Sequence, residues 1–228
     1  MQRKEHVGIA IDGPSGAGKS TLAKRMAAEL GFLYVDTGAI YRTIGYYAHT
    51  HGIDAKDEVA MAAVLPDIRI EIRYGEDGLQ HMLLNGRDVT TEIRLPQISL
   101  CASAVSAHPA VRAFLLEQQR ELARSHDVVM DGRDIGTVVL PDADLKIFLT
   151  AAPEIRAGRR CLELEQRGTP QPFDQVLSEI RQRDFDDIHR AAAPLRRAED
   201  AVELNTTELD FAQSLDALLA LARERTGR

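Results

Sequence analysis

The sequence predicts an α/β fold, with a parallel sheet of about five strands wrapped by helices, a small antiparallel insert and a lid. Three observations support this prediction. Short apolar runs, which are typical of buried parallel strands, alternate with segments of helical periodicity along most of the chain. A glycine-rich turn joins the first of these strands to the first helix. One stretch in the first half changes to period-two alternation, which is typical of antiparallel strands.

The composition is that of a protein with one substantial core. The chain has 228 residues, of which 44% are hydrophobic and 28% charged. Its net charge of −7 disfavours a nucleic-acid-coating function, although a small anionic ligand needs only local positive charge. Cys101 and Cys161 predict two half-buried thiols in a reducing compartment. No apolar run is long enough for a signal peptide or a membrane span, so we expect a cytoplasmic protein without membrane partners. We also expect a monomer that binds no nucleic acid.

The first elements of the predicted core follow from local patterns. Apolar runs predict strands at 7–11 and 32–36. Helical spacing predicts helices at 19–30, 39–48 and 55–65. Gly31 is placed to end the first of these helices as a left-handed cap, and Pro66 to end the third.

The pattern over residues 66–95 predicts an inserted antiparallel subdomain. Alternation over 68–73, and less cleanly over 81–85, indicates about three strands. Turn signals at 75–78 and at Asn85-Gly86 separate them. Residues 1–65 and 96–228 then form the core domain.

The second half returns to alternating strands and helices. Helices are predicted at 100–107 and 111–124, separated at Pro109, and at 154–166, 173–190 and 211–225, with a break expected inside 173–190. Strands are predicted at 128–130, 145–149 and 202–204. Parallel sheets bind ligands at the carboxyl ends of their strands, where Asp36, Asp131 and the glycine-rich turn all fall.

The glycine-rich turn fits the phosphate-binding motif G-x-x-x-x-G-K-[ST]. Its glycines let backbone N–H groups approach phosphates, and the helix that follows adds the positive end of its dipole. Lys19 is placed to reach the β- and γ-phosphates of a nucleotide, and the Ser20 hydroxyl to bind Mg²⁺. A P-loop NTPase-type fold follows, with a nucleotide-phosphate site at Gly13, Pro14, Ser15, Gly16, Ala17, Gly18, Lys19, Ser20 and Thr21, which the family resemblance described below assigns to ATP.

The rest of the chain favours a kinase over other P-loop proteins. GTPases usually carry an N-K-x-D motif, which this sequence lacks. The strand before Asp131 is short and leads into Arg133, unlike a typical Walker B strand. Transfer between two anionic substrates needs arginines that neutralise phosphate charge. Candidates follow the strands or lie on two later helices: Arg42, Arg133, Arg156, Arg159, Arg160, Arg181, Arg183 and Arg190.

Spacing alone leaves some of these residues open to a second interpretation. Arg183, Asp187 and Arg190 share one helical face, which suits a binding site and equally suits an intrahelical salt-bridge ladder. Arg112, taken alone, would lie on a solvated helix face.

Four segments in order resemble the successive signatures of bacterial cytidylate kinases, and the resemblance spans nearly the whole chain. They are IDGPSGAGKST at 11–21, DTGAIYR at 36–42, DGRDIGTVVLPDADLKIFL at 131–149 and RDFDDIHRAAAPL at 183–195. The insert at 66–95 resembles the extra small domain of the long bacterial form, which the eukaryotic UMP/CMP kinases lack.

The resemblance implies a nucleoside monophosphate kinase of pyrimidine metabolism, which uses ATP with Mg²⁺ to convert CMP and dCMP to their diphosphates. It implies a metal site at Ser20 and, through water, Asp36, and a lid at about 158–190 whose Arg159 and Arg160 serve ATP. It further implies that Lys19, Arg133, Arg183 and Arg190 are catalytic.

On the acceptor side, the resemblance implies that Ser103, Arg112 and Asp134 read the cytosine ring, with Thr37 near its amino group. Arg42 and Arg133 would bind the CMP phosphate, and Arg183 and Asp187 the sugar. The full implied CMP set is Thr37, Tyr41, Arg42, Ser103, Arg112, Arg133, Asp134, Arg183 and Asp187. A kinase for UMP or another small molecule is one alternative, and a nucleotide-gated binding protein is the other.

Overall fold

The computed structural model describes residues 5–75, 78–166 and 168–227. Its larger sheet has five parallel strands in the order β2-β6-β1-β7-β8, which confirms the predicted fold class. A smaller antiparallel sheet has three strands in the order β3-β4-β5. The strands are β1 Gly8–Asp12, β2 Leu33–Asp36, β3 Ile70–Tyr74, β4 Gln80–Leu84, β5 Arg87–Asp88, β6 Val128–Gly132, β7 Leu145–Thr150 and β8 Val202–Asn205.

The helices follow the predicted order with small shifts at their ends. They are α1 Lys19–Leu30, α2 Thr37–Thr50, α3 Glu58–Val64, α4 Pro96–Val105, α5 Pro109–Ser125, α6 Pro153–Gln166, α7 Phe173–His189 and α8 Phe211–Thr226. Gly31 ends α1 in the left-handed region at φ 69°, as predicted. The break expected inside 173–190 is wrong, because α7 is continuous. Its interior has no proline or glycine, and Val176 and Ile180 bury one side of it.

The large sheet is buried on both faces. Along β1, Ala10 belongs to one hydrophobic cluster, while Ile9 and Ile11 belong to another, so alternate side chains of the strand pack on opposite faces. The first cluster includes residues of α2, α4 and α5, and the second includes residues of α1 and α8. Helices on both faces explain why these strands read as continuous apolar runs.

The small sheet packs into the first of these clusters. Ile70, Met82 and Leu84 lie there beside Ile40 and Ile44 of α2. The predicted three strands are confirmed, and Asn85-Gly86 forms the second turn with φ of 50° and 83°. The other predicted turn, at 75–78, includes positions 76 and 77, which lie outside the described residues.

Two helix pairs shape the ligand side of the fold. Helices α4 and α5 meet at a 99° bend before Pro109, so the predicted separation is confirmed. Across the described segments no single helix could span a membrane, and this bent pair passes only by combined length and composition. Helices α6 and α7 pack on each other through their own small cluster of Ala157, Leu164, Val176 and Ile180.

Cys101 and Cys161 are free and half-buried, as expected.

Candidate active site

The P-loop between β1 and α1 has the backbone shape of a phosphate cradle. Gly13, Gly16 and Gly18 have φ of 151°, 75° and 85°, values that L-residues with side chains rarely adopt. A Cβ at Gly13 would lie 2.0 Å from the Leu149 carbonyl oxygen, so only glycine fits this close approach. Lys19 is buried and its Nζ donates to the Pro14 carbonyl at 2.7 Å. Burial, and after it the nearby charge of Arg133, lower the pKa of Lys19 well below its usual value.

Asp131, which we placed at the ligand-binding edge of the sheet but to which we assigned no role, faces this loop from β6. Its Oδ2 accepts a hydrogen bond from the Ser20 hydroxyl at 2.8 Å, and its Oδ1 accepts one from the Tyr34 hydroxyl at 2.9 Å. Burial, with the charge of Asp36 next, raises the pKa of Asp131 to about 6. The signal that could have identified it is its position at the carboxyl end of a strand that pairs with the P-loop strand.

Asp36, which we predicted as a water-mediated metal ligand, has both carboxylate oxygens engaged. Oδ1 accepts from the Ala39 backbone N–H at 2.8 Å and caps α2. Oδ2 accepts from Arg42 Nη2, also at 2.8 Å. Within the part of the chain that the structure describes, no three His, Cys, Asp or Glu side chains gather into a metal cluster.

A second buried carboxylate that sequence reasoning missed, Asp12, ends β1 just before the P-loop. Its two oxygens accept the backbone N–H groups of Ile135 and Gly136, both at 2.7 Å. These groups belong to the turn that follows Asp134, so Asp12 fixes that turn to the P-loop strand. Burial raises the pKa of Asp12 to about 6, against the lowering effect of the two N–H groups.

The predicted phosphate-binding arginines lie within electrostatic range of one another. The pKa of Arg183 is lowered to about 10. Burial is the main cause, and the positive charges of Arg133, Arg42 and Arg160 add to it. Among the described residues, three buried guanidinium nitrogens in this group have no hydrogen-bond partner: Arg42 Nε, Arg183 Nε and Arg190 Nη2. Buried donors without partners carry a large free-energy penalty, which an anionic ligand would relieve.

The predicted face of Arg183, Asp187 and Arg190 is not a self-contained intrahelical salt-bridge ladder, because its shortest ion pair is made outside α7. Asp187 Oδ2 instead accepts from Arg133 Nε, at the end of β6, at 2.7 Å. Arg190 lies just beyond α7, with Nη1 3.9 Å from Asp187 Oδ1 and Nη2 3.7 Å from Asp134 Oδ1. Asp187 therefore ties α7 to the end of β6.

A buried ion pair between Arg112 of α5 and Asp134 lies beside these arginines. The two side chains are only 11% and 5% exposed, so the expectation from spacing alone that Arg112 is solvated is wrong. The Arg112 guanidinium carbon also lies 5.5 Å from the centre of the Tyr41 ring, within cation–π range. Its partner Asp134 lies 22 positions further along the chain, which is why spacing could not reveal the pair.

The remaining predicted acceptor-side residues, Thr37 and Ser103, bond to the end of β6 and to Ser106. The Thr37 hydroxyl donates to the Asp131 carbonyl at 2.7 Å. Ser106, which we overlooked, accepts from Arg112 through its carbonyl at 3.0 Å and from Arg190 through its hydroxyl at 3.4 Å. Its hydroxyl donates to the carbonyl of the half-buried Ser103 at 2.9 Å. Ser106 thus joins α4 to both arginines.

The arginines of α6 lie on the other side of the P-loop. Arg159 Nη2 donates to the Thr206 carbonyl at 2.8 Å, and its Nη1 is 3.5 Å from the Ala17 carbonyl. Arg160 pairs with Glu163 at 2.7 Å. Arg156 is buried, donates to the Ser15 carbonyl at 2.9 Å and forms a two-point pair with Asp184 of α7. Arg156 therefore joins the P-loop to α7.

Comparisons with known proteins agree with this geometry. The sequence profile of the cytidylate kinase family matches residues 9–224. The cytidylate kinase of Oceanobacillus iheyensis is 46% identical over 216 residues, which are 95% of this chain and 94% of that protein. The cytidylate kinase of Anoxybacillus flavithermus is 47% identical over 99% of each chain. A gluconokinase structure from Sinorhizobium meliloti matches with a TM-score of 0.50 at 15% identity over 99% and 97% of the two chains, which supports the fold alone. With its P-loop, its buried arginine group and a family match over almost its whole length, this chain belongs to the cytidylate kinase family of phosphotransferases.

Proposed function

We propose that this protein transfers the γ-phosphoryl group of ATP to CMP and dCMP, forming ADP and the corresponding diphosphate. The observation that carries this proposal is the buried Arg112–Asp134 pair beside guanidinium donors that have no partner among the described residues. Cytosine presents a hydrogen-bond donor at N4 and acceptors at N3 and O2. A carboxylate next to a guanidinium offers the complementary acceptor and donor. Uracil has an acceptor in place of N4–H, which would face the Asp134 carboxylate unfavourably.

The ATP phosphates would lie in the P-loop. Backbone N–H groups at Gly13–Lys19 and the α1 N-terminus would neutralise phosphate charge, with Lys19 extending towards the β- and γ-phosphates. The Lys19 ammonium would then exchange the Pro14 carbonyl for phosphate oxygens. Arg159 lies beside Ala17 and Thr206, which suits a contact with the ATP side of the site.

The Mg²⁺ that accompanies ATP would find suitable oxygen donors at Ser20 and Asp131. The hydroxyl and the carboxylate already lie 2.8 Å apart, and Mg²⁺ typically uses one or two protein oxygens with phosphates and water. When bound, the ion would supply electrostatic stabilisation of phosphate charge. We propose Asp131 as the closer carboxylate, with Asp36 acting through water, because the Asp36 oxygens are already held by Ala39 and Arg42.

The acceptor phosphate would lie among Arg42, Arg133 and Arg183, with Arg190 close by. Their spare donors would stabilise charge on both phosphates as the γ-phosphoryl group moves. Arg133 donates to Asp187 of α7 at 2.7 Å, and its charge lowers the pKa of Lys19, which supports a role for Arg133 between the P-loop and α7. The attacking phosphate oxygen of CMP is already ionised at neutral pH, so the reaction needs no general base.

Residues 158–190 would act as a lid over both nucleotides. The α6–α7 pair has its own small hydrophobic cluster, so it can move as a unit. Arg156 links it to the P-loop carbonyl of Ser15, and Asp187 links it to Arg133. We expect hydrogen exchange in α7 to slow when ATP and CMP are both added. Equal protection with and without both nucleotides would rule out a lid.

The division into a core of 1–65 and 96–228 with an acceptor-side insert at 66–95 is part of the same proposal. We also propose that the protein works as a cytoplasmic monomer, with no nucleic acid or membrane among its partners. Sedimentation of the purified chain, with and without nucleotides, tests the monomer.

The deciding experiment measures ADP release with CMP, dCMP, UMP and AMP as acceptors, with products identified by chromatography. We expect diphosphate formation with CMP and dCMP well above that with UMP or AMP. Preferred use of UMP or a non-nucleotide acceptor would support the alternative kinase. Nucleotide binding or hydrolysis that no acceptor stimulates would support the nucleotide-gated binding protein.

A further inference from the structure

The inserted sheet bonds to the end of β2 through a buried polar side chain, Gln80. It is the first residue of β4 and is 8% exposed. Its Oε1 accepts the Asp36 backbone N–H at 2.8 Å, and its Nε2 donates to the Asp36 carbonyl at 3.2 Å. Because β2 lies at the edge of the large sheet, the amide gives Asp36 the two backbone partners that a further strand would have supplied.

The residue that Gln80 holds is the one that orients Arg42. Asp36 caps α2 through Oδ1 and pairs with Arg42 Nη2 through Oδ2. Arg42 Nε remains buried without a hydrogen-bond partner within the described ranges. A continuous path therefore runs from the insert, through the Asp36 backbone and carboxylate, to the guanidinium with the spare donor.

A second contact between the insert and β2 serves as a built-in comparison. The Tyr74 hydroxyl of β3 donates to the Tyr34 carbonyl at 3.0 Å. Like Gln80, Tyr74 joins the inserted sheet to β2, although it does so from β3. Its partner, Tyr34, makes no bond to Arg42 in the described part of the chain. General docking of the insert and the positioning of Arg42 can thus be separated by two side chains.

We propose that Gln80 is a positioning residue through which the inserted sheet sets the affinity for the acceptor phosphate. This inference rests on the proposed function, because it takes Arg42 to bind the phosphate of CMP. The docked insert then keeps Asp36, and with it Arg42, in the orientation that meets the acceptor. Without the amide, two buried backbone groups of Asp36 lose their partners and the end of β2 can shift.

Steady-state kinetics of Gln80→Met, with Tyr74→Phe as the matched control, tests this inference. Methionine keeps the length of the side chain and removes both hydrogen bonds to Asp36, together with the one that Nε2 donates to Met82 Sδ at 3.1 Å within β4. We expect KM for CMP to rise roughly tenfold, with KM for ATP within about twofold of the parent value. Tyr74→Phe should leave KM for CMP within about twofold. An equal rise for both substrates, or an equal rise in Tyr74→Phe, would overturn the positioning role.

A double-mutant cycle with Arg42→Ala supplies the second readout. If Gln80 acts through Arg42, adding Gln80→Met to Arg42→Ala should raise KM for CMP by less than about twofold further. Independent, multiplying effects would show that Gln80 acts elsewhere. Gln80→Glu replaces Gln80→Met if the latter unfolds, because glutamate keeps the shape of the side chain but turns an oxygen towards the Asp36 carbonyl.

A parent protein inactive with CMP would refute the proposed function itself, whereas an active parent with unchanged Gln80 variants would refute only this inference.

Discussion

The buried carboxylate of Asp12 gives a prediction in which stability and pH are linked. Replacing it by asparagine keeps one acceptor oxygen for the N–H groups of Ile135 and Gly136, and places an amide donor against the other. It also removes the titration of a group whose pKa burial raises to about 6 from the ordinary 3.8. The variant should therefore lose one anchor of the turn and become less sensitive to pH.

The sign of the pH effect follows from the direction of the shift. The folded protein holds the Asp12 proton more tightly than the unfolded chain does. The resulting stabilisation is complete below pH ~4 and is lost as the pH rises through about 6. A shift of about two pKa units corresponds to about 3 kcal/mol in total, and between pH 5 and 7.5 the expected change is on the order of 1 kcal/mol. Asp12→Asn should lack this contribution, while the titration of Asp131 is common to both proteins.

Urea unfolding at pH ~5 and ~7.5 measures the difference. The parent should lose more stability than Asp12→Asn over this interval, by on the order of 1 kcal/mol. Asp144→Asn is the matched control, since its Oδ2 accepts from the Gly8 N–H at 2.8 Å at the opposite end of β1. That variant measures, at a single pH, how much stability is lost when one carboxylate that accepts a backbone N–H of β1 is replaced by an amide. Parallel pH dependence in the parent and Asp12→Asn would refute the reasoning.

Three further predictions concern the site and its support. Lys19→Ala should fold normally but lose at least about 100-fold in kcat/KM, and near-normal turnover would contradict its phosphate role. Asp134→Ala should weaken kcat/KM for CMP by about 2–4 kcal/mol and for UMP far less, whereas equal losses would mean that Asp134 only holds Arg112 in place. Gly45→Ala would bring a Cβ within 2.8 Å of the Ala102 nitrogen, where α2 meets α4. In thermal unfolding it should cost about 1–3 kcal/mol, unlike Gly158→Ala, whose Cβ would have no neighbour within 4 Å.

Local patterns were sufficient for most of the fold. The P-loop, the α1 cap at Gly31 and the insert all depend on residues that are close together in sequence, and all three could be predicted from it. The break expected in 173–190 failed because a polar composition is no signal for a break. Helix α7 continues through this stretch because its interior has no proline or glycine and one of its sides is buried.

The parts of the site that the sequence concealed depend on strand pairing. In the parallel register, Ile11 lies opposite Asp131 and Asp12 opposite Gly132, which brings both carboxylates to the edge beside the P-loop. A single sequence gives neither the strand order nor that register. Arg112 is similar, since only its distant partner Asp134 takes it out of solvent. The resemblance to a known family implied a role for Arg112 in the site, whereas spacing alone pointed to a solvated face.

The pairing of carboxylates with arginines explains how an acidic protein can keep several arginines buried where we propose that phosphates bind. Asp36, Asp134 and Asp187 hold Arg42, Arg112 and Arg133 respectively. A guanidinium has five N–H donors, and one carboxylate accepts only some of them. Each pair therefore fixes the orientation of its arginine and leaves other N–H groups of that arginine for further partners. Among the described residues, buried guanidinium nitrogens without a hydrogen-bond partner remain at Arg42, within one of these pairs, and at Arg183 and Arg190 close by. Phosphate binding would then require little reorganisation, which is the condition under which electrostatic stabilisation of phosphoryl transfer is strongest.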